Sequence, residues 1–296
     1  MSPAPHSYSN PIIGECLADP FILRAEDGYY LYASGAAPDG RFIPVWRSAD
    51  LVAWTFVRGA VAAGPAGAWN RRNFWAPEVM RAAGRYHLYY TAMPDGTPGN
   101  TGNRVGLAVS GSPAGPFEDG GVVVTQASLD GSPFRDDDGS AWLCFTAEFG
   151  NDRGLVPGRI YVDRLPSPEH AAGEPREVMG QHHWQEGPCV LFRGGRCYLF
   201  YSTGSWGDAS YGVQWAVGPS PLGPFAEAPN KLLASTDQVR GPGHHNFFPG
   251  PDGSDWIIYH GWDPAFRARY PRIDPLRWTA DGPTTLGPTS GPQPLP

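Results

Sequence analysis

The segment GGRCYLFYST at residues 194–203 decides the fold, because four other segments of the chain share its pattern. Each segment is a glycine-centred turn followed by an alternating, aromatic-rich strand. The others are DGYYLYAS at 27–34, AGRYHLYYTA at 83–92, DGSAWLCFTA at 138–147 and DGSDWIIYHG at 252–261. Their turn glycines are spaced by 56, 55, 56 and 58 residues and are Gly28, Gly84, Gly139, Gly195 and Gly253. So even a period predicts an all-β, five-bladed β-propeller and argues against a β-sandwich, which has no reason to repeat.

The composition agrees with a protein made of short strands. The 296 residues include 39 Gly and 33 Pro, yet 41% are hydrophobic and 13% aromatic, enough for a sizeable core. The longest stretch free of Gly and Pro is Val45–Arg58, which excludes long helices, coiled coils and membrane spans. We expect a single propeller over residues 1–296, without an accessory module and with an N-terminal strand closing the last blade.

Charge and cysteine usage narrow the possible partners and the compartment. The net charge of −7 disfavours nucleic acid and anionic membranes as partners. The four cysteines lack C-x-x-C spacing, so we expect free thiols, with a Cys189–Cys197 hairpin bridge as the alternative. Residues 1–11 have neither a basic nor an apolar signal region, which predicts a cytoplasmic protein, or a secreted one if a leader has been trimmed.

Three acidic residues hold the same place in different repeats. Asp19, Asp130 and Glu186 each lie nine residues before a turn glycine, and His244 and Trp75 have the same offset in the remaining repeats. Each acid taken alone is a plausible turn former beside Pro or Gly. The shared offset instead predicts carboxylates at one level of a central channel. Mutual repulsion there raises at least one pKa, so the site holds one acid and one base at neutral pH.

At this point the sequence resembles glycoside hydrolase family 43, whose members are five-bladed propellers that cleave arabinose- and xylose-containing glycosides with inversion. The matching stretches are ADPFIL at 18–23, FWAPEV at 74–79, LDGSPFRDDDGSAWL at 129–143, EGPCVLFRGGRCYLFYS at 186–202, GPGHHNFF at 241–248 and YPRIDPLRW at 270–278. No single stretch is strong, but the ordered set is specific and runs through nearly the whole chain.

The resemblance implies a role for each matching residue. Asp19 matches the general base, Glu186 the general acid, and Asp130 the carboxylate that tunes and orients the acid. His244 matches an axial histidine that often lies beside a bound calcium, and Arg272 matches an arginine that reaches the active site. Gly131 and His245 depart from the family pattern, where Pro and Asn are common, which puts fine specificity in doubt more than chemistry.

The chemistry needs no cofactor, and two metals are considered as structural ions. A calcium at His244 would have to be completed largely by water, because calcium prefers oxygen ligands. The pairs His182–His183 and His244–His245 raise zinc as an alternative, but no cysteine ligands or H-E-x-x-H motif accompany them. Four aromatic residues are candidate substrate contacts, with core packing as the alternative for each: Phe74, Trp75, Trp206 and Phe247.

The sequence therefore predicts an exo-acting α-L-arabinofuranosidase acting on arabinose- or xylose-containing oligosaccharides or polysaccharides of hemicellulose. β-Xylosidase and endo-arabinanase are the nearest alternatives, because the resemblance assigns them the same catalytic residues. A non-catalytic carbohydrate-binding propeller is the alternative of another class, and it predicts that one of the three acids is missing. A metal-dependent lyase on the same fold would need more axial ligands than the sequence offers.

Overall fold

The computed structural model describes residues 7–151, 154–180 and 183–295, and the regular structure in these ranges is entirely β-strand. The strands are β1 (Ser7–Asn10), β2 (Ala18–Ala25), β3 (Gly28–Ser34), β4 (Phe42–Ser48), β5 (Thr55–Val61), β6 (Arg72–Ala82), β7 (Arg85–Met93), β8 (Arg104–Ser110), β9 (Glu118–Val122), β10 (Ser128–Arg135), β11 (Ala141–Ala147), β12 (Ile160–Arg164), β13 (Arg176–Glu177), β14 (Gln185–Arg193), β15 (Arg196–Thr203), β16 (Gly212–Gly218), β17 (Ala226–Glu227), β18 (Arg240–Pro249), β19 (Asp255–Trp262), β20 (Arg269–Thr279), β21 (Gly282–Thr285) and β22 (Gly291–Pro294).

Five four-stranded antiparallel sheets follow one another along the chain and confirm the predicted five-bladed propeller. Blade 1 is β2–β5, blade 2 is β6–β9, blade 3 is β10–β13, blade 4 is β14–β17 and blade 5 is β18–β21. The repeated aromatic segments form the second strand of each blade. The sequence period therefore counts blades, because each turn glycine lies in or next to the hairpin that joins the first two strands.

Hydrophobic clusters join each blade to the next. Phe21 and Tyr32 of blade 1 pack with Phe74 and Leu88 of blade 2. The other interfaces are represented by Val105 with Leu143 (blades 2 and 3), Cys144 with Leu199 (blades 3 and 4), Val213 with Ile257 (blades 4 and 5) and Ile22 with Trp256 (blades 1 and 5). The blades thus form a closed ring in chain order.

The alternation of the second strand explains why these segments are aromatic on both sides. In β3, Tyr30 and Tyr32 enter the cluster shared with blade 2, whereas Tyr29 and Leu31 enter the cluster shared with blade 5. Successive side chains of a strand point to opposite faces. Because each blade is covered on both faces, both sets are buried and both have to be apolar.

The N-terminal strand does not close the last blade, which corrects that expectation. β21 already supplies the fourth strand of blade 5, and β1 pairs instead with β22 in a separate two-stranded sheet. The Asn10 side chain fastens this sheet to blade 5: it donates to the Ile273 carbonyl at 2.7 Å and accepts the Ile273 N–H at 3.0 Å.

The four cysteines are free, as predicted. Cys189 lies opposite Phe200, and Cys197 lies opposite Phe192, so the hairpin register keeps the two thiols of the alternative bridge apart. Within the described ranges, no helix is long and apolar enough to cross a membrane.

Candidate active site

The first strand of every blade is interrupted at the same place. Its pairing with the second strand shifts there, and one residue adopts a positive φ between 47° and 58°. These bulge residues are Asp19, Ala76, Asp130, Gly187 and His244. Bulges re-aim side chains and are common beside active sites. Three of the five positions carry residues that the sequence singled out.

The bulges show that two of the predicted residues do not lie at the same level of the central channel as the others. Glu186 and Trp75 each lie one residue before the bulge of their blade, whereas Asp19, Asp130 and His244 lie on it. The cause is where the turn glycine falls relative to the hairpin. In blade 1 it is the residue after a two-residue turn. In blades 2 and 4 the glycine is the second of two turn residues, but in blades 3 and 5 it is the fourth of five. A count of nine residues back from the glycine therefore reaches different positions.

Hydrogen bonds from one blade to the next hold these bulges in place. Four of the bulge N–H groups donate to a side chain of the preceding blade in the ring. The bonds run from Ala76 to Ser34 Oγ (2.8 Å), from Asp130 to Thr91 Oγ1 (3.0 Å), from His244 to Ser202 Oγ (2.8 Å) and from Asp19 to His260 Nδ1 (3.1 Å). The four acceptors occupy one register position in their second strands. We call this set the bulge ring.

Blade 4 departs from the bulge ring. Thr146 occupies the equivalent register position in blade 3, but its hydroxyl is buried and has no hydrogen-bond partner among the described residues. The N–H of Gly187 donates instead to Asp130 Oδ2 at 2.8 Å. The Asp130 carboxylate is therefore fixed to the peptide group that directly follows Glu186.

The Asp19 carboxylate lies among hydrogen-bond donors and basic groups. Ser34 donates to its Oδ2 at 2.5 Å, while His244 Nδ1 and Arg269 Nη1 lie 3.5 Å and 3.6 Å from its Oδ1. Burial alone would raise the pKa of Asp19, but its basic neighbours, His244 and Arg269 among them, outweigh it and hold that pKa well below its usual range. Asp19 is thus ionised at neutral pH, as a general base has to be.

Asp130 and Glu186 form the opposite kind of environment. Burial, together with the negative charges of Glu186 and Asp19, raises the pKa of Asp130 well above its usual value. The Glu186 carboxyl contacts the Tyr211 hydroxyl and the Trp184 indole N–H, both at 2.6 Å. Asp130 therefore retains a proton at a pH where Asp19 has lost its own.

His244 joins the two carboxylate environments, with its Nδ1 3.5 Å from Asp19 Oδ1 and 3.8 Å from Asp130 Oδ2. The described residues contain no group of three or more His, Cys, Asp or Glu side chains placed to hold a metal. A calcium beside His244 would therefore take most of its oxygen ligands from water, as expected from the sequence, and it stays a prediction that the proposed reaction does not use. His182, considered for zinc, lies outside the described residues.

Two of the predicted aromatic contacts lie away from the carboxylates. Phe74 is 2% exposed and stacks on Phe42, with ring centroids 4.0 Å apart, in the core between blades 1 and 2. Phe247 packs on Phe200 and lines a cavity of about 350 Å³ that also contains Glu78. Strand alternation directs Phe74 away from the site, and the position beyond the bulge does the same for Phe247, which corrects their assignment as substrate contacts.

Arg272 does not reach the active site, which corrects the role that the resemblance implied for it. Arg269 lies beside Asp19 instead. The Arg272 guanidinium is buried and donates to the Thr289 carbonyl at 3.0 Å. Arg269 belongs to the same strand but reaches Asp19. The two arginines are three residues apart, so they point to opposite faces of β20.

The remaining two aromatic candidates, Trp75 and Trp206, are both more exposed than Phe74. Trp75 is half-buried and holds in blade 2 the register position of Glu186 in blade 4. Trp206 is 54% exposed and stacks on Trp262, with ring centroids 6.2 Å apart. The Arg269 guanidinium lies over both indoles, 5.1 Å and 5.4 Å from their centroids, which links this aromatic patch to Asp19.

Sequence reasoning missed Arg269, Tyr211, Trp184 and the bulge ring. A signal for the ring was present, because each repeated aromatic segment ends in a polar residue or has one next to its end. These residues are Ser34, Thr91, Thr146, Ser202 and His260. Four hydroxyl groups and one imidazole at one register position indicate a shared structural task. Tyr211 and Trp184 lie outside the repeated segments and carry no comparable signal.

Comparison with known proteins places this site in a family. The family described as "Glycosyl hydrolases family 43" matches residues 8–284. A β-D-galactofuranosidase of Aspergillus niger is 31% identical, covering 85% of this chain and 75% of its own length. An extracellular exo-α-(1→5)-L-arabinofuranosidase of Streptomyces chartreusis is 29% identical, covering 88% and 84%. The crystal structure of a thermostable family-43 glycoside hydrolase superposes with a TM-score of 0.86 at 28% identity, covering 98% of this chain and 99% of that one. Further relatives are named endo-α-(1→5)-L-arabinanases.

Proposed function

The chain belongs to glycoside hydrolase family 43, and we propose that it is an exo-acting α-L-arabinofuranosidase. It is a glycoside hydrolase, and inversion of configuration is typical of its family. The proposed substrates are arabino-oligosaccharides or arabinose-decorated hemicellulose, from which the enzyme releases terminal L-arabinofuranosyl residues.

The contrast between Asp19 and the Asp130–Glu186 pair supports this proposal most directly. Basic neighbours keep Asp19 ionised, whereas burial and crowding of negative charge keep Asp130 protonated beside Glu186. An inverting glycosidase needs both states at once, one carboxylate to activate water and one carboxylic acid to protonate the leaving oxygen. A purely binding propeller has no need of such a contrast.

The proposed reaction is a single displacement. Asp19 accepts a proton from a water molecule while the water oxygen forms a bond to the anomeric carbon. Glu186 donates its proton to the glycosidic oxygen as the bond between that oxygen and the anomeric carbon breaks. Asp130 accepts the N–H of the peptide that follows Glu186 and so holds the backbone beside the acid in place. The products are a free sugar of inverted anomeric configuration and the remainder of the substrate, which leaves as an alcohol.

The choice of arabinose rests on the relatives, which leave a second candidate. Among them are named exo-arabinofuranosidases and a β-D-galactofuranosidase. β-D-Galactofuranose and α-L-arabinofuranose have the same ring configuration, and galactofuranose carries one additional hydroxymethyl group. A furanoside-specific site can therefore serve either sugar. β-Xylosidase and endo-arabinanase remain alternatives with the same catalytic residues.

Initial rates on three p-nitrophenyl glycosides test the proposal: the α-L-arabinofuranoside, the β-D-galactofuranoside and the β-D-xyloside. We expect the arabinofuranoside to be preferred and its turnover to fall by about 10²- to 10⁴-fold in Asp19→Asn, the range for loss of a general base. Preference for another glycoside would retain the mechanism and overturn the sugar. Mid-chain cleavage of linear arabinan, seen as a rapid loss of viscosity, would indicate an endo-acting enzyme.

A further inference from the structure

An exposed aromatic ring lies close to the proposed acid and has no role in the mechanism above. Phe149 follows β11 of blade 3 and is 56% exposed. Its ring stacks on Trp184, with centroids 5.5 Å apart and planes inclined by 25°. The Trp184 indole N–H in turn donates to Glu186 Oε2 at 2.6 Å. Phe149, Trp184 and the acid therefore form a continuous series of contacts.

Buried partners hold this aromatic pair in position. The N–H of Phe149 donates at 2.8 Å to the carboxylate of Glu148, which is 3% exposed. Trp184 packs so closely on Gly158 that a Cβ there would lie 2.5 Å from the indole ring. Thr203 donates to the Trp184 carbonyl at 3.1 Å. A preorganised site that presents an apolar ring to solvent gains free energy when a ligand covers it.

The position relative to the two carboxylates indicates which part of the substrate is covered. In an inverting reaction the attacking water and the leaving oxygen lie on opposite sides of the anomeric carbon. The Trp206–Trp262 patch is joined through Arg269 to Asp19, the side of the water. The Phe149–Trp184 pair is joined to Glu186, the side of the leaving oxygen.

We propose that Phe149 and Trp184 bind the leaving group and that this leaving group is a sugar residue. This inference rests on the proposed function. The apolar face of a sugar ring stacks on an aromatic side chain, as other flat apolar surfaces do. The Phe149–Trp184 platform thereby selects glycosides whose aglycone is a saccharide. A small leaving group does not extend from Glu186 to Phe149 and gains nothing from the ring.

Two substrates with the same glycone isolate this contribution. α-L-Arabinofuranosyl fluoride has a single-atom leaving group, and α-(1→5)-linked arabinobiose has a sugar. We expect Phe149→Ala to lower the ratio of kcat/KM for arabinobiose to kcat/KM for the fluoride by about tenfold, the size of one aromatic stacking contact. Phe149→Tyr keeps the ring and should restore the ratio.

Two control variants define the background. Leu286 is 73% exposed and lies after β21, so Leu286→Ala tests the loss of an exposed apolar side chain elsewhere and should leave the ratio unchanged. Trp206→Ala should lower both rates together, because its patch lies on the side of Asp19. An unchanged ratio in Phe149→Ala, whether both rates are retained or both fall equally, would overturn the leaving-group site.

If the proposed glycone, arabinofuranose, is wrong, the experiment gives a different result. Wild-type enzyme would then turn over neither arabinofuranosyl substrate but would accept the corresponding galactofuranosyl or xylosyl pair. The same ratio is read on that pair, so the leaving-group site is tested independently of the glycone.

Discussion

Asp130 Oδ2 accepts the backbone N–H of Gly187 at 2.8 Å, across the interface between blades 3 and 4. This bond occupies the place that Thr146 would take in the bulge ring, so one side chain both joins two blades and borders the acid. The Asp130 carboxyl is consequently tied to the backbone directly after Glu186.

Asp130→Asn should move the alkaline limb of the pH profile of kcat/KM to lower pH by roughly one unit. Asp130 becomes negatively charged only when it loses its own proton at raised pH, and that charge opposes loss of the proton from the neighbouring acid. Asparagine removes this opposition, so we expect the acid to lose its proton at a lower pH. Initial rates between pH 4 and 9 measure the limb, with circular dichroism as the control for folding. A limb that stays in place would leave Asp130 with a structural role alone.

Thr146→Val should leave the free energy of unfolding unchanged or raise it by up to about 1 kcal/mol, because the buried hydroxyl has no partner among the described residues. Thr91→Val is the matched comparison. It removes the acceptor of the Asp130 N–H and should cost about 1–3 kcal/mol. Urea unfolding measures both, and equal effects would contradict the distinction drawn within the bulge ring.

Arg269→Met should move the acidic limb of the kcat/KM profile to higher pH. The guanidinium is one of the groups that hold the pKa of Asp19 low, so its removal raises that pKa. The base is then protonated, and activity is lost, at a higher pH than in the wild type. Arg267→Met removes a neighbouring cation that pairs with Asp263 instead, and its acidic limb should match the wild type.

His260 should act as a positioning residue for the base. It accepts the N–H of Asp19, so His260→Leu leaves that donor unpaired and lowers kcat by about tenfold or more with little change in KM. In His260→Asn the amide oxygen can take the place of Nδ1, and kcat should largely recover. A loss confined to thermal stability, equal in both variants, would contradict this role.

Glu186→Gln should harm substrates with poor leaving groups most, because only these need protonation of the glycosidic oxygen. We expect a large loss on arabinobiose and a much smaller one on aryl arabinofuranosides with acidic phenols. A series of aryl leaving groups gives the slope. Equal losses along the series would exclude Glu186 as the acid.

The repeat made the number of blades predictable, since turn glycines and aromatic strands are local features of the chain. It also singled out three acids on the first strands of three blades, at or directly before the bulge. The level of Glu186 was not predictable, because the two-residue turn of blade 4 and the five-residue turn of blade 3 cannot be told apart by counting from the glycine. Hairpin register, which only the paired strands reveal, decides that position.

Side-chain direction limited the remaining predictions. Phe74 and Trp75 are adjacent aromatics, yet alternation buries the first in the core and leaves the second half-buried beside the bulge. The same alternation separates Arg269 from Arg272. The partners of Glu186 come from a segment before β14 and a loop before β16, and their meeting depends on the tertiary fold alone.

The five equivalent bulges have the same backbone shape although their side chains differ in chemistry. The backbone therefore decides where a side chain lies in the channel, and the residue type decides what it does there. Asp19, Asp130 and His244 use three of these positions, whereas Ala76 and Gly187 bring no functional side chain to theirs. Ala76 already adopts the left-handed backbone that asparagine and aspartate accept more readily than alanine. Blade 2 therefore offers protein engineers a position where a new donor or acceptor could be introduced at the level of the base without redesigning the backbone.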